Sequence, residues 1–264
     1  MGFNPLSPSL AHSFASQLIM PLIVSAVVPV YNEEGAAVQV AREIEAAFSA
    51  AFGTDGFEIV FIDDYSKDET HARLVAAQAV IPSLRVLRHE NNVGKSGAMR
   101  TGVFAAKAPL IVTLDGDGQN PAIDAARMSQ ILHDAPETVG MVAGQRRNRQ
   151  DTASKKWASR WANSIRKTML NDKADDTGCG LKALRREVFL RLPYFDQMHR
   201  YLPSLVTREG FEILFEPVDD RLRTTGQSKY TNIGRLAVAL SDLPGVMWLN
   251  SRLRQPGKVT ESGR

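Results

Sequence analysis

The chain has 264 residues, 44% of them hydrophobic and 23% charged, with a net charge of +3. These values exclude a disordered chain and give length enough for one α/β domain with a sizeable core and a terminal appendage. The single cysteine, Cys179, excludes a disulfide framework and favours a reducing compartment.

Residues 1–21 carry no Lys or Arg and are interrupted by Pro5 and Pro8, so they lack the basic start of a secretory signal and read as a loose N-terminal extension. "LIVSAVVPV" (22–30) is a strand. A helix follows, with Val38, Ala41, Ile44, Phe48 and Phe52 at three- and four-residue spacing. "FEIVFIDD" (57–64) is a second strand, and "SKDET" opens the next helix with a capping box, Ser66 as N-cap and Glu69 three residues on. "LRVLRH" (84–89) and a helix over 94–108 come next, then the apolar run Leu110–Leu114, a helix over 122–134 and a strand at 139–144. Strict alternation of strand and helix predicts a doubly wound, mostly parallel sheet with helices on both faces. The domain is expected over residues 22–235.

Residues 145–167 hold eight Lys or Arg against one acidic residue, Asp151. Trp157, Trp161, Ile165 and Met169 fall four apart there and make a core stripe, leaving the cations on the other faces of a helix. An excess of seven positive charges points to contact with an anion. No aromatic–basic interleaving suggests stacking on bases, so no nucleic-acid partner is expected. No stretch approaches the roughly 20 apolar residues that span a bilayer. "LAVALSDLPGVMWL" (236–249) holds Asp242 and Pro244 and suits a membrane surface, with a mobile basic tail from Arg252 completing residues 236–264.

Polar residues collect where parallel sheets bind ligands, at the carboxyl ends of the strands: Tyr31-Asn32-Glu33, Asp63-Asp64, Asn91–Lys95, and Asp115 with Asp117 in "TLDGDGQNP". Two carboxylates so close repel each other unless one is protonated or a cation lies between them. A hard divalent ion, Mg²⁺ or Mn²⁺, fits, held by one or two carboxylates while a diphosphate supplies further oxygens. Gly116 and Gly118 would let the backbone approach the phosphates, and Gln119 would add an amide oxygen or hold a metal-bound water. "NNVGKSGA" (91–98) is a turn entering a helix, a phosphate cradle that matches neither a Walker loop nor a dinucleotide fingerprint. The five histidines show no metal-like spacing and read as structural or exposed, with His199 a candidate for lining a pocket; Cys179 reads as buried and inert.

Four blocks, "VVPVYNEE", "FIDDYSKDET", "NNVGKSGAMRTG" and "TLDGDGQNP", resemble those of family 2 glycosyltransferases with the GT-A fold. "GQRR" (144–147), "SRWAN" (159–163), "DTGCGLKALRR" (176–186) and "RTTGQSKY" (223–230) narrow the resemblance to polyprenyl-phosphate sugar synthases of the dolichyl-phosphate mannose synthase type. The resemblance implies that Pro29, Tyr31, Glu33, Asp63 and Asp64 hold the nucleoside with Gly94 and Lys95 beside them. It implies that Asp115, Gly116, Asp117 and Gln119 take the metal and sugar diphosphate, with Asp115 and Asp117 the catalytic pair. Arg146, Arg147, Lys155, Ser159, Arg223, Ser228 and Lys229 would surround the acceptor phosphate. Three residues depart from the family pattern: Tyr65 stands where a small residue is usual, Cys179 replaces a common serine and Lys182 a common arginine. The C-terminal membrane helices of many relatives are not seen, so membrane contact falls to the basic face and 236–249.

The implied reaction is inverting, metal-dependent transfer of a sugar from a nucleotide sugar, GDP-mannose or a UDP-sugar, to polyprenyl phosphate by a cytoplasmic enzyme peripherally associated with the membrane. A phosphate nucleophile is already anionic and needs no strong general base, so Asp117 is assigned to the metal. The alternatives are a transferase to a soluble acceptor, a non-catalytic nucleotide-sugar-binding scaffold, and a haloacid dehalogenase-type phosphatase. The last places its Asp-x-Asp-Gly after the opening strand, whereas here strand–helix units precede it.

Overall fold

In a computed structural model the described residues are 21–147, 176–221 and 232–254, together with Leu170, Ala174 and Thr260; for 232–241 the description is of the backbone alone. Seven strands form one sheet: β1 (Val24–Val30), β2 (Phe57–Asp63), β3 (Leu84–Arg88), β4 (Leu110–Thr113), β5 (Val139–Arg146), β6 (Lys182–Arg185) and β7 (Glu212–Val218), in the order β3-β2-β1-β4-β6-β5-β7. All neighbours pair in parallel except β6, which lies antiparallel between β4 and β5. The helices are α1 (Ala37–Phe52), α2 (Thr70–Ala77), α3 (Gly94–Ala105), α4 (Ala122–Asp134), α5 (Arg186–Arg191), α6 (Leu202–Arg208) and α7 (Asn232–Arg252), with a 3-10 turn at Met198–Arg200.

The period of two along each strand sorts the core into two layers. Val24, Ala26, Val28 and Val30 of β1, with Ile59 and Phe61 of β2, face α1, α2 and α4 through Val40, Ile44, Phe48, Leu74, Met128 and Leu132. Val27, Val60 and Ile62 face the other way, toward Met99 and Val103 of α3, Val188 of α5 and Leu205 of α6. Strands buried on both faces explain the near-continuous apolar runs of β1, β2 and β4. Each such side chain contributes about 1.5–3 kcal/mol by leaving water.

The chain steps outward from β1 through β2 to β3, then returns to place β4 on the other side of β1. That reversal opens a crevice at the carboxyl ends of β1 and β4, where the Tyr31–Glu33 and Asp115–Gln119 loops leave the sheet.

Two local expectations are corrected. The helix over 94–108 ends at Ala105, because Ala106 is extended (ψ 142°) and the Lys107 N–H is taken by the buried Glu58 carboxylate at 2.6 Å. The capping box does not form. Helix α2 begins at Thr70 with no side-chain cap from Glu69. The Ser66 hydroxyl accepts the Asn32 N–H instead (2.9 Å), and Asp68 accepts the Thr70 N–H (3.0 Å). No described helix is long and apolar enough to cross a membrane. In α7, Leu243 and Val246 are buried against the protein, and Asn250 donates to Ser204 at 2.9 Å, so this face of the 236–249 stretch is spent on docking while Trp248 stays exposed.

Candidate active site

The side of the crevice at the end of β1 is built by two loops laced together. The Asn32 N–H donates to Ser66 and the Lys67 N–H to the Asn32 side chain (2.7 Å), while the Glu33 N–H donates to Thr70 Oγ1 (2.8 Å). Pro29 lies within β1 opposite Ile62, and Tyr31 and Glu33 are half-buried at the crevice. Tyr65 adopts φ 67°, a left-handed conformation in which a Cβ is strained, and the Lys67 ammonium lies 3.2 Å from its ring centroid.

Asp63 and Asp64 are both sealed and act as ties. Asp63 accepts the Ser66 N–H (2.9 Å) and faces Arg88 Nε at 3.3 Å. Asp64 accepts the Val93 and Gly94 N–H groups at 2.9 and 2.8 Å and lies 2.8 Å from His89 Nδ1. Asp64 thus fills the orphan donors that open α3, where a carboxylate is favoured. Gly94 begins that helix at φ 80°.

Lys95, one residue into α3, places its ammonium on Asp115 Oδ1. The Asp115 backbone N–H is held by Asn120 Oδ1 (3.0 Å), and the carboxylate keeps 30% exposure to the crevice. Burial works to raise its pKa, but contact with Lys95 and the nearby charges of Lys182 and Arg146 outweigh this and hold Asp115 below the usual carboxylate range. Asp117 Oδ1 accepts the Gln119 N–H (3.1 Å), and Gly118 makes the turn at φ 79°. Gln119 is stitched to Arg221, whose N–H it accepts at 3.0 Å. Gly116 serves packing, since a Cβ there would stand 2.3 Å from Val30 Cγ1.

The basic side is only partly described, because Lys155, Ser159, Arg223, Ser228 and Lys229 lie outside the described residues, as does the stripe from Trp157 to Met169. Arg147 is exposed at the end of β5. Arg146 is gripped by Asp176 (2.6 and 3.1 Å) and Asp220 (3.3 Å). Burial opposes its charge, yet these two carboxylates raise its pKa further. It therefore joins three segments: the end of β5, the loop entering β6 and the end of β7.

Asp176 and Lys182 have structural work in the site that the resemblance does not assign to them. Lys182 is 4% exposed on β6, and its ammonium donates to the Cys179 carbonyl and to Thr177 O (3.4 Å). Burial, together with Lys95 close by, lowers its pKa. The loop it holds runs directly against Asp115, since a Cβ on Gly180 would lie 2.5 Å from that carboxylate. The "DTGCGLK" string carried the signal: two glycines beside an acid and a base. Cys179 is buried, which raises its pKa and keeps it a thiol, as expected.

Among the described residues no three His, Cys, Asp or Glu side chains form a metal cluster. Asp115 and Asp117 alone would leave most of the coordination of a hard ion to other oxygens, which fits Mg²⁺ or Mn²⁺ shared with a diphosphate.

Known proteins resemble this chain in sequence and in fold. An undecaprenyl-phosphate 4-deoxy-4-formamido-L-arabinose transferase from Enterobacter sp. (strain 638) is 32% identical over 209 residues, 79% of this chain and 62% of that protein. The chain thus spans under two thirds of that relative's length. A dodecaprenyl-phosphate galacturonate synthase from Rhizobium johnstonii is 30% identical over 244 residues, 90% of this chain and 70% of that one. Glucosyl-3-phosphoglycerate synthase from Mycobacterium tuberculosis, crystallised with Mn²⁺, UDP and glucosyl-3-phosphoglycerate, superposes with a TM-score of 0.62 at 17% identity, over 89% of this chain and 82% of that one. This last likeness shows the fold, an α/β sheet of GT-A type. The model of glycosyl transferase family 2 matches residues 25–192, and the chain belongs to that family.

Proposed function

We propose that this chain transfers a sugar, with inversion, from a nucleotide sugar to polyprenyl phosphate. The observation that carries the reading is the Lys95–Asp115 pair, with Asp117 two residues on, at the carboxyl end of β4 in the crevice beside β1, together with Arg146 and Arg147 at the end of β5. The names of the two curated relatives support the lipid phosphate acceptor.

The proposed roles rest on placement for the described residues and on the sequence resemblance for Lys155, Ser159, Arg223, Ser228 and Lys229. Pro29, Tyr31 and Glu33 border the nucleoside, and Asp63 and Asp64 shape that pocket through the loops they tie. Asp115 and Asp117 hold Mg²⁺ or Mn²⁺, with the Gln119 amide oxygen alongside. When bound, the ion stabilises the charge that grows on the departing nucleoside diphosphate. Lys95 keeps Asp115 ionised, and Lys182 fixes the loop that backs it. Arg147, Lys155, Ser159, Arg223, Ser228 and Lys229 gather the acceptor phosphate, with Arg146 anchored by Asp176 and Asp220. The phosphate oxygen attacks the anomeric carbon from the face opposite the diphosphate, and the single displacement inverts that centre. The acceptor enters from a membrane surface on which the protein lies from the cytoplasmic side.

The test is a transfer assay with radiolabelled nucleotide sugars, polyprenyl phosphate and Mn²⁺ or Mg²⁺. Metal-dependent label in the organic phase, lost in Asp117→Ala and in Lys229→Ala, supports the reading and names the donor. Label released only into the aqueous phase, or bound nucleotide without turnover, refutes the lipid acceptor.

A further inference from the structure

The segment Tyr194–Arg200 lies as a strap across the first turns of α3. The Tyr194 hydroxyl stands 3.2 Å from where a Cβ on Gly97 would be, and its ring centroid lies 4.7 Å from the Arg100 guanidinium carbon. Asp196 Oδ1 comes within 3.7 Å of the Cβ position at Gly94. His199 closes the strap. Its backbone N–H donates to Ser96 Oγ at 3.3 Å, and its ring Nδ1 lies 2.8 Å from the same oxygen.

Ser96 is fully buried, and among the described residues its hydroxyl has no acceptor other than His199 Nδ1. The hydroxyl proton therefore goes to Nδ1, which leaves the ring proton on Nε2. Nε2 has no partner among the described residues and is not among the polar atoms sealed from solvent. Burial, with the ammonium groups of Lys95 and Lys182 nearby, holds the imidazole well below its ordinary pKa, so the ring is neutral at working pH. Two consecutive residues of α3 thus hold different groups: Lys95 puts a cation on Asp115, and Ser96 orients the neutral imidazole, which feels the Lys95 and Lys182 charges.

We propose that His199 Nε2–H donates a hydrogen bond to a hydroxyl of the donor's sugar ring and orients that ring beside Asp115 and Asp117. The inference rests on the nucleotide-sugar reading of the site. A neutral donor suits a hydroxyl, whereas the diphosphate is met by cations and by the metal. A protonated Nε2 also has no lone pair with which to ligate that metal. The nucleoside end is the province of the 31–33 and 64–67 loops. His199, on the strap across α3, lies under the charge of the same Lys95 and Lys182 ammonium groups that act on Asp115, which sets it by the acidic half of the site.

The test compares His199→Phe, which keeps a ring of similar breadth and removes the donor, with His199→Gln, whose amide N–H reaches a similar position. Calorimetry with Mn²⁺ measures UDP and GDP against UDP-glucose and GDP-mannose, and steady-state kinetics uses the donor that the unsubstituted chain turns over. His199→Phe is expected to bind the nucleoside diphosphate as before and to bind its nucleotide sugar about 5-fold more weakly, the worth of one hydrogen bond. Donor KM should rise likewise, with Gln restoring most of the loss. Unchanged nucleotide-sugar affinity in His199→Phe overturns the proposal. So does equal weakening of diphosphate and nucleotide sugar in both variants with a lowered melting temperature, which makes His199 a strap anchor only. If the unsubstituted chain binds none of the four ligands, the site reading itself falls, and this inference with it.

Discussion

Gly180→Ala isolates the contact on which the acidic half of the site depends. No positive φ bars a side chain at this position, and the nearest obstacle is the Asp115 carboxylate, 2.5 Å from the new Cβ. Ordinary contact begins at 3.4 Å, so the carboxylate must retreat by about 0.9 Å. Asn120 holds its backbone and Lys95 its Oδ1, so the retreat breaks the ion pair or rotates the carboxylate out of the crevice. Overpacking of this kind costs about 1–3 kcal/mol, or a fall in melting temperature of about 4–8 °C for a chain of this size if the cost is near 2 kcal/mol. A catalytic group misplaced by ~1 Å costs about 100-fold in rate. The assay is kcat/KM for sugar transfer together with the Mn²⁺-dependent affinity for UDP and GDP. Gly178→Ala is the control, because its Cβ would meet Asp176 and Arg146 only at 3.4 and 3.5 Å. A Gly180→Ala variant that keeps kcat/KM within about threefold of the unsubstituted chain, well short of the expected loss, would refute the claim that this loop fixes Asp115.

Glu58→Gln tests the buried network at the other end of the sheet, where Glu58 accepts from Ser25, Arg85 and the Lys107 N–H. Burial opposes its charge, but these donors lower its pKa below 4.5, so its stabilisation is present above that pH and disappears as the pH falls through the folded value. The substitution is expected to cost about 2 kcal/mol at neutral pH by urea denaturation, and to flatten the loss of stability below pH 4.5. Gly245→Ala, inside α7 with nothing within 4 Å of the new Cβ, should stabilise by about 0.5–1 kcal/mol in the same measurement and leave transfer unchanged. Removing divalent metal with a chelator should abolish transfer while shifting the nucleotide-free melting temperature by less than ~1 °C, because two carboxylates alone bind such an ion weakly. A large shift would mean that the protein holds a fuller ligand set than Asp115 and Asp117.

Much of the fold is legible in the sequence because strands buried on both faces write themselves as unbroken apolar runs; Val24–Val30, Phe57–Asp63 and Leu110–Thr113 could hardly be anything else. The helix over Ala122–Asp134 matches its expected bounds for a related reason, with Pro121 opening it and Pro136 following its end. The antiparallel β6 was not legible. "LKALRR" mixes apolar and basic residues without a clean period, and its direction is set by its partners β4 and β5, which lie about 40 to 75 residues away in the chain. The failed capping box teaches the same lesson at shorter range. Ser66 and Glu69 have the right spacing, but Asn32, 34 residues earlier, claims the serine hydroxyl.

The candidate site divides along that line between local and distant. Asp115 and Asp117 announce themselves through strand, turn and spacing, all within one loop. What makes Asp115 usable comes from elsewhere: Lys95 from α3 supplies the charge that keeps it ionised, and the Gly180 backbone, held by Lys182, supplies the wall behind it. Asp64 shows how a motif can be found and its local work missed. Its place after a strand marks it as functional, but its carboxylate is spent on the first N–H groups of α3, and so on the position of Lys95 and Ser96. A single helix N-terminus therefore ties Asp64 and its loop to Asp115, through Lys95, and to His199, through Ser96. Substituting Asp64 should disturb all three together, whereas substituting His199 should touch the sugar alone.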